Sequence, residues 1–275
     1  MISPEFSTAV TLLLYGSASV AGLAGIVART ALWRKIGCSL AVAGFACQTL
    51  MLFLGFHKAL PGGLSAGAYF QLMAWFVVLC GIAAWAKLRQ EIPLVFAAPL
   101  GLMLFAMSAP YLAAVVQVPP SLNTSFYALH IGALFFSLAL LALAFAAGAL
   151  FLFIEGRIKS KLTMKGFWLD MPALSMLDKI NAFTTMTGFP LYTLGIVSGL
   201  IWAKPIFGGT VTGDPKEVIS IVIWLFYSVL FHNRLTKGWK GRKPAQLAVF
   251  VFVLCLFSII VVNTFMETHH AFIRR

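Results

Sequence analysis

Apolar residues in this chain neither alternate nor keep to one helical face. They fill blocks of roughly twenty positions, and the charged residues gather in the breaks between blocks. A block of that length and composition spans a hydrocarbon core about 30 Å thick as a helix rising 1.5 Å per residue. Eight blocks are present, at about 7–28, 36–56, 68–86, 93–116, 126–153, 187–202, 218–231 and 247–265. The sixth and seventh are short and flank a glycine-rich connection, as expected of spans that tilt little or that border a cavity instead of lipid. The longest connection, 155–184, mixes basic residues with Phe167, Trp168 and Leu169 and reads as an interfacial segment. The pattern predicts an all-α, polytopic membrane helix bundle of about eight transmembrane helices, with 1–275 as a single integral-membrane domain.

Composition agrees: 61% of residues are hydrophobic and 10% charged, far from the balance of a soluble globule. The net charge of +12 raises nucleic acid as a partner, but placement of the basic residues argues against it. They lie in short breaks, where the positive-inside rule accounts for them. Fifteen Lys and Arg fall on one side of the eight spans, including Arg29, Arg89, Arg157, Lys179 and the run Arg234 to Lys243. Five fall on the other: Lys58, Lys204, Lys216, Arg274 and Arg275. The richer side is cytoplasmic and both termini are external, in a multi-pass protein of the bacterial cytoplasmic membrane. The first block lacks a basic flank and a small-residue exit, so it reads as a retained span.

Cys38, Cys47, Cys80 and Cys255 all sit inside apolar blocks without a C-x-x-C pair, so neither thiol chemistry nor covalent haem attachment is expected. The five histidines are more informative. His57, His130, His269 and His270 fall at outer ends of spans, and His232 near the inner end of span seven. Neutral imidazole is a common ligand for metals and for haem iron. The best external pair is His130 with His270, each with aromatic neighbours, Phe126 and Tyr127 or Phe265 and Phe272. The plainer alternative is that histidines are simply tolerated at interfaces. His232 shares i+4 steps with Ser220, Trp224 and Ser228. It is expected to face the bundle and ligate a second, inner haem, or to hydrogen-bond a neighbouring helix. Asp214, Pro215, Lys216 and Glu217 read as a helix start, with Asp as cap, Pro at N1 and Glu at N3. Lys216 and that helix terminus are also suited to haem propionates. No paired nucleophile and base, H-E-x-x-H or phosphate loop is present.

The stretch GDPKEVISIVIWLFYSVLFHNRLTKGWKG, with Gly188, Pro190, Gly195, Ser198, Gly199 and Trp202 upstream and Asn263 downstream, resembles the cytochrome c assembly family. That family includes the haem-handling subunit of system II cytochrome c synthases. The resemblance implies non-covalent haem b, with His130 and His270 as external axial ligands and His232 as the histidine within the membrane. His57, followed by Lys-Ala-Leu-Pro, is similar to a further family histidine segment. The implied function is presentation of haem on the external face for c-type cytochrome biogenesis, as a subunit of a haem lyase. Apocytochrome c and a second membrane subunit with a large extracytoplasmic domain are the implied partners. One departure stands out: the family's tryptophan-rich stretch before the Asp reads here Phe207-Gly-Gly-Thr-Val211-Thr-Gly213-Asp214, all three tryptophans replaced. That makes this a divergent member and keeps two other functions in view, a b-haem electron-transfer subunit and a haem-biogenesis accessory protein without synthase activity.

The charge asymmetry predicts sidedness directly. A phosphatase fused after Arg275 will be active and one inserted within 157–165 inactive; the reverse pattern, read by colony phosphatase assay, overturns the orientation.

Overall fold

The computed structural model describes residues 4–59, 66–109, 125–161, 171–211, 213–262 and 265–266. Among these residues there are eight α-helices and no strand: α1 Pro4–Val27, α2 Ala31–Ala59, α3 Ala66–Leu88, α4 Ile92–Ser108, α5 Ser125–Lys159, α6 Leu174–Phe207, α7 Pro215–Lys237 and α8 Arg242–Phe257. The last runs into a π-helical turn, Ser258–Val262. Six of them, α1, α2, α3, α5, α6 and α7, are long and apolar enough to cross a membrane, and α4 is a shorter apolar helix. The expected all-α, polytopic membrane architecture is therefore the observed one.

The long connection between the fifth and sixth blocks is a correction. The helix α5 has 35 residues and α6 has 34, leaving only 160–173 between them in place of thirty residues. On the α5 side, Lys159 pairs with Glu155 one turn earlier, at 2.8 Å, and carries the helix past its apolar block. On the α6 side, Asp178 and Asn181 looked like loop residues, but both bond other helices from inside α6. The block at 187–202 is the middle of a long helix and not a short span. Phe167, Trp168 and Leu169 lie outside the described residues.

By contacts the chain divides into two compact units, Met1–Gln117 with Leu162–Pro172, and Val118–Lys161 with Ala173–Arg275. In the first, α1 and α2 approach so closely that a Cβ on Gly37 would stand 2.6 Å from the backbone nitrogen of Gly22. Small residues permit this where lipid offers no hydrophobic drive between helices. A polar chain then ties three helices: Tyr15 OH donates to Gln48 Oε1 at 2.6 Å, and Gln48 Nε2 donates to the Gln71 carbonyl at 2.7 Å. Both side chains are fully buried, and the chain satisfies them there.

The second unit is built on the α5/α6 hairpin. Three side-chain to backbone bonds cross it: His130 Nδ1 with Gly195 O at 2.7 Å, Ser137 Oγ to Gly188 O at 2.8 Å, and Asn181 Nδ2 to Ala144 O at 2.9 Å. The partners advance by seven residues on α5 and retreat by seven on α6, so each rung stands about 10.5 Å from the next. Seven residues is close to two turns, which keeps all three on one face. Glycine lines the α6 side, and a Cβ on Gly195 would stand 2.6 Å from Leu134 Cδ2.

At the end away from His130, this hairpin is clamped to α7. The Arg234 guanidinium donates from Nη2 to Asp178 Oδ1 at 3.0 Å and to Asn181 Oδ1, and from Nη1 to the Trp239 carbonyl at 3.1 Å. Asp178 Oδ1 also accepts from the Gly241 amide at 2.9 Å. The sequence assigns Arg234 to the positive-inside run, yet its side chain is only 4% exposed. Left-handed residues close the four helices whose C-terminal ends carry the basic breaks: Arg29, Arg89, Lys161 and Gly238.

Stranding a buried guanidinium is costly. Asp178→Ala is expected to destabilise the protein by about 3–5 kcal/mol, seen as a lower midpoint in detergent thermal unfolding followed by circular dichroism. Removing both charges together, as Arg234→Met with Asp178→Leu, will recover part of the loss.

Candidate functional site

His130 occupies the top rung of the hairpin, in the second turn of α5. A carbonyl only accepts, so the short contact to Gly195 O places the proton on Nδ1. The neutral ring therefore carries its lone pair on Nε2, the tautomer that ligates a metal, in the manner of ligand histidines oriented by a backbone carbonyl. The same carbonyl accepts from Ser198 Oγ at 3.0 Å. The ring lies against the bare backbone of Gly199, where a Cβ would come within 2.5 Å of Nδ1. Gly195, Ser198 and Gly199 thus form a seat fitted to one imidazole, and the G-x-x-x-G spacing of Gly195 and Gly199 brings α5 close enough to use it.

The start of α7 belongs to the same level of the unit. Asp214 caps the helix, accepting at Oδ1 from the Lys216 amide at 2.8 Å, with Pro215 in the first turn, as the sequence predicts. Tyr192 OH donates to the Ser220 carbonyl at 3.4 Å. Ser220 lies one turn after Lys216, and Tyr192 about one turn before Gly195. Lys216 accordingly enters α7 near the height at which His130 is seated.

His232 differs from expectation. Trp224 donates from Nε1 to Thr193 Oγ1 on α6 at 3.0 Å, and the Ser220 carbonyl also meets α6, so the early part of the i+4 series faces the bundle. Each step of four rotates about 40°, and by position 232 the series has turned away: His232 is exposed. His57 lies within the last turn of α2, in the other unit, and its side chain is outside the described residues. His269 and His270 are also outside them. Among the described residues no three His, Cys, Asp or Glu converge as a metal site. The donor set present suits an axial nitrogen ligand, which a haem needs from any one helix.

Two contributors carry little signal in the sequence. Asp178 stands beside Lys179 in a basic connection, and Arg234 opens the positive-inside run. An acidic residue isolated in a basic connection is the signal that could have found the first; an Asn-Arg pair directly after His232, before the helix ends, could have found the second.

A profile of the cytochrome C assembly protein family matches residues 64–270. The chain belongs to that family. Its curated relatives are named cytochrome c biogenesis protein CcsA. The protein of Mesostigma viride is 36% identical over 97 residues, covering 35% of this chain and 32% of the relative. That of Chlamydomonas reinhardtii is 32% identical over 153 residues, 56% of this chain and 42% of the relative. That of Gloeothece citriformis is 27% identical over 247 residues, covering 73% of this chain and 75% of the relative. The chain thus spans well under half the length of the first two relatives and about three quarters of the third.

The seat gives a direct test. Gly199→Ala will expel the His130 ring from Gly195 O, whereas Ser198→Ala will leave it in place. Histidine-selective nitrogen-15 NMR should report an Nδ1-protonated His130 in the native protein and in the serine variant, and its loss in the alanine-199 variant.

Proposed function

We propose that this chain receives haem in the membrane and presents it on the external face for attachment to apocytochrome c. His130 and His270 act as axial ligands of non-covalent haem b, and His232 as an inner ligand. The observation that carries this reading is the seating of His130, oriented by a carbonyl on one side and admitted by a missing side chain on the other. An interfacial histidine merely tolerated by its surroundings needs no such fitted seat. Lys216 and the capped start of α7 supply charge suited to propionates near the same height. Asp214 acts by fixing that helix terminus.

The thioether-forming reactivity resides in the haem vinyl groups and the thiols of the apocytochrome, so this chain's share is ligation, orientation and shielding. The described connections are short, which supports a second membrane subunit with a large extracytoplasmic domain as the holder of the apocytochrome. The family match runs through both compact units, which supports 1–275 acting as one domain. The Lys and Arg distribution supports external termini in a bacterial cytoplasmic membrane. The replaced tryptophans Phe207, Val211 and Gly213 remove a large apolar platform for a porphyrin and favour a divergent biogenesis role over full synthase activity.

Purified protein is expected to carry, or take up, haem with a reversible oxidised and reduced spectrum. A preparation that stays colourless after haem addition overturns the reading. His130→Ala with His270→Ala should abolish c-type cytochromes in haem-stained membranes while leaving b-type content unchanged; joint loss of quinol-dependent reduction would favour electron transfer in its place.

A further inference from the structure

The sequence HNRLTKGWKG closes the inner end of α7, and its backbone is fixed more firmly than a cytoplasmic exit requires. Gly238 and Gly241 take left-handed φ values of +60° and +76°. Arg234 holds the Trp239 carbonyl, Asp178 holds the Gly241 amide, and the Trp239 amide donates to Asn233 O at 3.2 Å. The positive-inside rule explains the sign of the charges here but asks nothing of turn geometry. Around this stapled turn Lys237, Lys240 and Lys243 are exposed, and among the described residues none has a carboxylate within ion-pair distance. Lys243 Nζ stands 5.7 Å from the ring centre of Trp239, whose indole is part-buried.

Directly above the turn, Leu225, Val229 and His232 share one face of α7, at steps of four and three. Leu225 is 51% exposed and Val229 46%, and His232 is exposed with no ring partner among the described residues. An uncovered imidazole on an apolar membrane helix is a functional feature by default. From the bilayer interior toward the inner surface, the order is apolar surface, then a nitrogen ligand, then cations with no carboxylate partner among the described residues. His232 lies about 10.5 Å below Leu225 and about 7.5 Å above Lys237 along the axis.

Haem has the same order of parts: an apolar edge, a central iron and an anionic edge. We infer that the inner end of α7 is a haem-docking edge, in which Leu225 and Val229 receive the porphyrin, His232 its iron, and Lys237, Lys240 and Lys243 its propionates. The inference rests on the reading of His232 as an inner haem ligand and adds the group that orients the molecule. Anionic oxygen is the chemistry recognised, and the phosphate of an anionic phospholipid is its other source.

The test uses full-length protein in neutral detergent, in a His130→Ala, His270→Ala background so that binding reports the inner site. Ferric haem and its propionate dimethyl ester are titrated by the Soret band, and phosphatidylglycerol retention is measured in parallel. Lys237→Gln with Lys240→Gln and Lys243→Gln is expected to weaken ferric haem about tenfold, the effect of a few exposed ion pairs acting together, and to leave the ester unchanged. An equal loss for haem and ester overturns the inference, because the lysines would then act through the fold. Unchanged haem affinity with lost phosphatidylglycerol also overturns it and makes the lipid headgroup the occupant, while His232 remains a ligand if His232→Ala abolishes haem binding. If His232→Ala leaves haem affinity and spectrum as they were, the reading of His232 itself falls.

Discussion

The α5/α6 register is the constraint on which the second unit depends. Rungs at His130, Ser137 and Asn181 each spend a side-chain hydrogen bond on a backbone carbonyl of the opposing helix. In hydrocarbon a broken rung finds no water to replace the lost partner. Sliding α6 by one turn would break all three together. The height of the His130 ring is therefore set by the whole hairpin and not by its local turn. This is how a residue near a helix terminus, where fraying is normal, comes to hold a defined position.

The lowest rung doubles as a link to the rest of the unit. Asn181 gives its amide nitrogen to α5 and its oxygen to Arg234, so the hairpin register and the α7–α8 turn share one side chain. The guanidinium's desolvation is offset at Nη1 and Nη2 by the Asp178 carboxylate and by two carbonyl-type acceptors. The ion pair is best understood as specifying where α7 ends, because both of its members also hold backbone groups of the turn that follows. Toward the outer end, Tyr192 and Trp224 continue the α6/α7 contact with polar bonds inside an aromatic layer that includes Phe189.

Periodicity revealed the number and rough place of the helices because membrane spans announce themselves through length and apolarity alone. It misplaced the inner ends of α5 and α6, since Asp178 and Asn181 look like loop residues until their partners on α7 and α5 are known. Cap chemistry was legible at Asp214 and Pro215, where the physics is local. Recognition of His130 came from residue type and position, but the reason for Gly195, Ser198 and Gly199 was not visible: a missing Cβ is meaningful only beside the ring it admits. The face of His232 was misjudged because four-residue steps were taken as a straight stripe, while the helix turns 3.6 residues per revolution.

The helix ends at Arg29, Arg89 and Lys161 adopt a backbone conformation that glycine enters freely and that costs other residues roughly 1 kcal/mol or more. Glycine closes only the fourth such end, at position 238, where three further cations follow within five residues. At the other three ends the chain accepts local strain and keeps a cationic side chain at the residue that closes the helix. Glycine replacements at those three turns would relieve the backbone strain and at the same time remove a cation from each helix end.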